Sequence, residues 1–153
     1  DRPINTEQRL ETFTVLITKI KRSIHRIKTE QMAEFHLKGP HVTCLYYIYK
    51  MKSLTSSELC DISLEDKAAI SRSRDYLEKN GYLTCKYPFS KRYRAPLILT
   101  EKGMVTAEKI AKKVDAVLDS AGVGVSDDER EILYKSLTAI SENLEKIENR
   151  QKG

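Results

Sequence analysis

With 153 residues, 40% of them hydrophobic, the chain is long enough for one domain with a real core, or one domain plus an assembly element. Six Gly, four Pro and no Trp exclude collagen-like, disordered and sugar-stacking classes, and no apolar run approaches the ~18–20 residues that span a bilayer. The net charge of +5 is concentrated: residues 66–103 hold nine Lys/Arg against four Asp/Glu, while residues 36–65 balance and residues 104–153 carry eight against ten. A basic excess confined to one segment points to a polyanionic partner, because neutralising phosphates releases condensed counterions.

Along residues 5–35, Leu10, Phe13, Ile17, Ile20, Ile24 and Ile27 recur at steps of three and four, which predicts one long helix with a single apolar stripe. Lys19, Lys21, Arg22, Arg26 and Lys28 lie on its opposite face. Gly39-Pro40 breaks the chain, with Pro40 suited to a first helical turn. "HVTCLYYIYKM" then places Val42, Leu45, Ile48 and Tyr49 on one face. Thr55-Ser-Ser-Glu58 is a capping box and predicts a short helix over 56–62 with Leu59 and Ile62 inward. "EDKAAISRSRDYLEKNGYL" (65–83) predicts the next helix, capped by Asp66 or Ser63, with Ile70 and Leu77 inward and Gly81 ending it in the left-handed conformation.

After Gly81 the period changes to two. "YLTCKY" (82–87) and "APLILT" (95–100) read as a β-hairpin around the basic "PFSKRYR", and Pro96 suggests a free edge on the second strand. A long helix follows with the stripe Met104, Ala107, Ile110/Ala111, Val114 and Val117/Leu118, ended by Gly122-Val-Gly124. Ser126-Asp-Asp-Glu129 is a second capping box and opens the last helix, whose stripe is Leu133, Leu137, Ile140, Leu144 and Ile147.

The order is therefore mainly α with a small β-hairpin: a winged helix-turn-helix over 40–103, flanked by N- and C-terminal dimerisation helices over 5–35 and 104–150. A helix is thin enough to enter a major groove, and its first turns present side chains to base edges. Small residues at Ala68, Ala69 and Ser71 let the backbone approach double-stranded DNA, while Lys67, Arg72 and Arg74 supply cations. For Arg74, four residues after Ile70, a semi-buried ion pair with Asp75 or Glu78 is an equal alternative. Lys91, Arg92 and Arg94 at the hairpin tip suit an adjacent minor groove. The narrow apolar stripes of the terminal helices predict a homodimer through the faces of Leu10, Phe13, Ile17, Leu137, Ile140 and Leu144, with an intramolecular bundle as the alternative.

Other chemistry is sparse. Cys44, Cys60 and Cys85 are odd in number and widely spaced, which fits neither a disulfide framework nor a zinc site and suits a reducing, cytoplasmic compartment. His25, His36 and His41 lack the i, i+4 spacing of a metal-ligand pair, so no metal and no cofactor is expected. No Gly-rich phosphate loop, nucleophile–His motif or paired-carboxylate signature is present, so no catalytic residue is expected either. Tyr46, Tyr47 and Tyr49 offer apolar walls with polar tips for a small aromatic or lipophilic effector, or else simply pack in the core. A winged helix used without sequence choice, as an architectural or protein-interaction module, is the competing reading.

The segment "DKAAISRSRDYLEKNGYL" (66–83) resembles the recognition helix of the MarR family of bacterial transcriptional regulators, D-K-x-x-[VI]-S-R-x-x-x-x-L-E-x-x-G, and "LTEKG" (99–103) is similar to the family's L-T-x-x-G after the wing. In element order and length the resemblance covers nearly all of 1–153. It departs at the wing tip, where Ser90-Lys91-Arg92 stands for the family's D-x-R with one extra residue before Leu99-Thr100; the Arg carries over to Arg92, with Arg94 as the alternative, and the Asp that would orient it is absent. Positions 73 and 74, frequently apolar in the family, are Ser and Arg. The resemblance implies an obligate homodimer on a pseudo-palindromic operator and repression, less often activation, of nearby genes. It also implies an effector bound between the dimerisation helices and the wing domain, with cysteine oxidation or metals serving in some members.

Overall fold

The computed structural model describes residues 9–85 and 94–153, with the side chains of 9–12 and of Cys85 left out of the description. The chain divides into two compact units, Asp1–Val114 and Asp115–Gly153.

In the first unit, α1 (Arg9–Met32) is followed by a single 3-10 turn (Ala33–Phe35), then α2 (Gly39–Met51), α3 (Ser56–Ser63), α4 (Lys67–Lys79), β1 (Leu83–Cys85), β2 (Leu97–Leu99) and the start of α5 (Glu101–Ala121). Local side-chain chemistry sets most of these boundaries. Thr55 Oγ1 accepts from Glu58 N–H at 3.1 Å and Glu58 Oε1 accepts from Thr55 N–H at 3.2 Å, the reciprocal box read from the sequence. Asp66, not Ser63, caps α4, its Oδ1 accepting from Ala69 N–H at 2.6 Å. Gly81 ends α4 at φ +79°, and the Tyr82 N–H returns to the Leu77 carbonyl at 2.8 Å.

The core of this unit is built from Leu45 and Ile48 of α2, Leu59 of α3, Ile70 and Leu77 of α4, Leu97 of β2 and Ile110 of α5, all fully buried. The strands pair antiparallel with Leu83 opposite Leu99, Thr84 opposite Ile98 and Cys85 opposite Leu97. Three expectations are corrected. The second strand is not free-edged along its length: Leu54, just before α3, pairs with Leu97, whose N–H donates to the Leu54 carbonyl at 2.7 Å. Ile62 is 37% exposed, because α3 is too short for its last turn to reach the core that Leu59 enters. Met104 is 45% exposed, and Gly103 takes the inward position of α5's first turn.

The second unit holds the end of α5 and α6 (Asp127–Lys152). Ser126 Oγ accepts from Glu129 N–H at 3.1 Å, completing the second predicted box. Helix α6 contains no buried residue, and Leu133, Ile140, Leu144 and Ile147 of its stripe stand exposed. On α1 the stripe residues Ile17, Ile20, Ile24 and Ile27 are exposed in the same way.

Candidate nucleic-acid interface

Helix α4 shows two faces. Ile70, Ser73, Arg74 and Leu77 are buried. Lys67, Ala68 and Arg72 are exposed, with Ala69 and Ser71 half-buried beside them, so the small and basic residues expected at the front share the outer surface. The cap at Asp66 leaves the first turn accessible, with the positive end of the helix dipole next to Lys67. The same outer row continues through Asp75, Tyr76 and Lys79, all exposed. The sequence reading missed these three, although steps of four from Ala68 and Arg72 lead directly to Tyr76.

Arg74 does not belong to this row. It is 8% exposed, its Nη1 donates to Ser56 Oγ of α3 at 3.3 Å, and its Nη2 donates to Ser71 Oγ at 3.4 Å. Asp75 Oδ1 lies 3.6 Å and Glu78 Oε1 4.0 Å from the guanidinium, both on the same helix and not on a neighbouring element. Of the two readings of Arg74, its burial and these carboxylates fit the semi-buried ion pair and not the groove-facing cation.

Tyr76 stacks on His41, the rings 4.2 Å apart and 2° from parallel, which joins α4 to the first turn of α2. Nδ1 of His41 accepts from the Lys38 backbone N–H at 3.3 Å, a bond that only an unprotonated nitrogen can accept. Burial, and then the Lys38 charge, push the His41 pKa below its usual value of 6.5. A His with a depressed folded pKa binds fewer protons than in the unfolded chain, so its contribution to stability is complete above about pH 6.5 and is lost as pH falls from there toward the folded pKa. Urea midpoints measured from pH 7.5 to pH 5 are expected to fall across that window, and His41→Asn is expected to remove this part of the slope.

The foot of the hairpin is tied to the end of α4 by the "LTEKG" residues. Thr100 Oγ1 donates to the Gly81 carbonyl at 2.5 Å and accepts from Gly103 N–H at 3.1 Å, and Thr100 N–H donates to the Tyr82 carbonyl at 3.1 Å. Lys102 Nζ donates to the Asn80 carbonyl at 2.9 Å and sits 4.3 Å from the Tyr82 ring centroid. Gly103 packs so closely that a Cβ there would lie 2.0 Å from the Tyr82 carbonyl oxygen. Arg94 is exposed just before the start of β2, at the end away from the hairpin foot, while Lys91 and Arg92 lie outside the described residues.

Tyr46, Tyr47 and Tyr49 are half-buried against the core, with the Tyr46 and Tyr47 rings edge to face at 5.4 Å. Nearby, Lys28 Nζ of α1 donates to Thr43 Oγ1 of α2 at 2.5 Å, and burial lowers its pKa although Glu65 partly opposes the shift. Lys28 is thus half-buried and not part of a fully solvated face. Burial pushes the Cys44 thiol up to about 12, which leaves it without the thiolate that sensing chemistry requires. Among the described residues no group of three or more His, Cys, Asp or Glu is placed to hold a metal ion, and no helix is long and apolar enough to cross a membrane.

This order of elements, with its capped α4 and paired hairpin, has counterparts among solved structures. A MarR family regulator from Neisseria meningitidis superimposes with a TM-score of 0.77 at 20% identity, covering 97% of this chain and 99% of that one. The chain has the MarR-family fold. Staphylococcus aureus MarR in complex with salicylate and kanamycin gives a TM-score of 0.75 at 20% identity, over 92% of this chain and 95% of that one. The Staphylococcus aureus MepR–DNA complex gives 0.75 at 18% identity, over 92% and 99%. No family model and no curated relative matches the sequence.

Proposed function

We propose that this chain is a sequence-specific, double-stranded DNA-binding transcriptional regulator, a repressor that works as a homodimer on a pseudo-palindromic operator. The observation that carries the reading is the outer row of α4, where Ala68 and Arg72 stand exposed on a helix whose opposite row is locked into the core. Lys67, Ala68, Ala69, Ser71 and Arg72 enter the major groove, and Lys91, Arg92 and Arg94 of the wing reach the adjacent minor groove. A relative of the same fold solved in complex with DNA supports the assignment. The uncovered stripes of α1 and α6 are closed by the second copy, which sets two reading heads about one DNA turn apart. A small aromatic or lipophilic effector, held by Tyr46, Tyr47 and Tyr49, releases the operator; the salicylate complex of a protein of this fold supports that class of ligand.

The test is binding to the duplex upstream of the protein's own gene against a scrambled duplex, across a salt series. A specific reader prefers the first by a ratio on the order of 10³ or more, and a ratio near one would assign the chain to the architectural class instead. Arg72→Ala is expected to weaken operator binding by roughly tenfold to a hundredfold. The urea midpoint should stay within error, since the Arg72 side chain is exposed. Unchanged operator affinity would remove α4 as the reading element.

A further inference from the structure

Arg74 is a costly residue to place where it lies. Its row on α4 is otherwise Ile70, Ser73 and Leu77, all buried. Its guanidinium reaches Ser56, the fully buried first residue of α3, where the positive end of that helix's dipole disfavours a cation. The nearest carboxylate contacts, 3.6 Å to Asp75 and 4.0 Å to Glu78, are long. A well-packed apolar side chain of similar volume would avoid the desolvation of the charge, and such replacements are often neutral or stabilising. The gain from Arg is directional. Its planar fork engages Ser56 on α3 and Ser71 on α4 at once, which a hydrocarbon cannot do and a single ammonium does poorly.

Arg72 lies two residues earlier, about 200° around the helix from Arg74, on the exposed row. Whatever fixes the roll of α4 at Arg74 therefore fixes where Arg72, Ala68 and Tyr76 point. Recognition geometries tolerate only about 0.5 Å and 10–20° of error. Building on the operator-reading function proposed above, we infer that Arg74 is a positioning residue: its buried guanidinium, hydrogen-bonded between α3 and α4, sets the roll of the recognition helix and thereby sequence discrimination, without touching DNA.

The test compares the full chain with its Arg74→Met and Arg74→Lys variants on the upstream and scrambled duplexes by fluorescence anisotropy. Arg74→Met is expected to lower the specific-to-scrambled ratio by at least about tenfold, the discrimination of one good base contact. Its affinity for scrambled duplex and its salt slope should match wild type, because no phosphate contact is lost. Its urea midpoint should not fall. Arg74→Lys should recover only part of the ratio. A wild-type ratio in Arg74→Met overturns the inference. So does a parallel loss on both duplexes with a salt slope lower by about one, which marks a direct phosphate contact. If Arg74→Met does not fold, Ser56→Ala removes the α3 acceptor and is expected to lower the ratio in the same way, and an unchanged ratio there also overturns it. A wild-type ratio near one refutes the operator-reading function itself and this inference with it, whereas a high wild-type ratio retained by the variants refutes this inference alone.

Discussion

Gly103→Ala is expected to lose about 3 kcal/mol of unfolding free energy, the upper part of the range for forcing an atom into a filled site. The added Cβ would stand 2.0 Å from the Tyr82 carbonyl oxygen, 3.0 Å from its carbon and 3.3 Å from Leu99 Cδ2. Two of those atoms are backbone, held by the Thr100 N–H and by the turn that closes α4, so relief requires α5 to lift from the hairpin foot. That displacement would strain the Thr100–Gly81 and Lys102–Asn80 bonds together. Gly81→Ala provides the contrast in the same urea experiment. A Cβ there meets nothing within 4 Å, and its cost comes only from φ +79°, about 1 kcal/mol. Equal costs at the two glycines would mean that the close approach at Gly103 is relieved by a small shift.

Leu144→Asp is expected to convert the proposed dimer into monomers and to weaken the proposed operator binding by roughly 10²–10⁴-fold, the loss of linkage between two DNA-binding copies. In one chain Leu144 is 56% exposed, so the substitution has little to disturb in the folded protomer. In a two-fold interface it is counted twice, and each copy must bury a carboxylate without a partner. Sedimentation velocity reports the assembly and anisotropy the affinity. A monomer that still binds the operator as wild type does would separate DNA reading from assembly. A variant that stays dimeric would place the interface elsewhere than on the α6 stripe.

The sequence disclosed those parts of the fold that local chemistry determines. The boxes at Thr55–Glu58 and Ser126–Glu129 each use two bonds between residues three apart, and spacing alone exposes them. Inward positions at Leu45, Leu59, Ile70 and Leu77 follow from a helical period. Periodicity misplaces residues where an element ends. Ile62 and Met104 fit their stripes but lie in terminal turns, where a neighbouring glycine or a short helix decides what is covered. The Leu54–Leu97 pairing joins residues far apart in the chain, and no local pattern encodes it. On α4, Lys67, Ala68 and Arg72 are exposed, as a helical period counted from the buried Ile70 and Leu77 requires. For Arg74 charge and spacing point opposite ways, and its distance from Ile70, which places it on the inner row, is the better guide. Tyr76 escaped notice because its partner His41 comes from another helix.

The ties at the foot of the hairpin bear on how this protein can change over generations. Gly81–Thr100, Asn80–Lys102 and the pairing of Leu83 with Leu99 close the loop at its base. With the base held in this way, doubling the length of chain that joins the two strands adds only about 0.6 kcal/mol of closure entropy. Insertions, deletions and charge swaps there leave α4 and α5 in register, whereas a single inserted residue between Asn80 and Leu83, or between Leu99 and Gly103, would break several bonds at once. The segment joining the two strands can thus vary by small genetic steps, while the residues at their base stay under strict constraint.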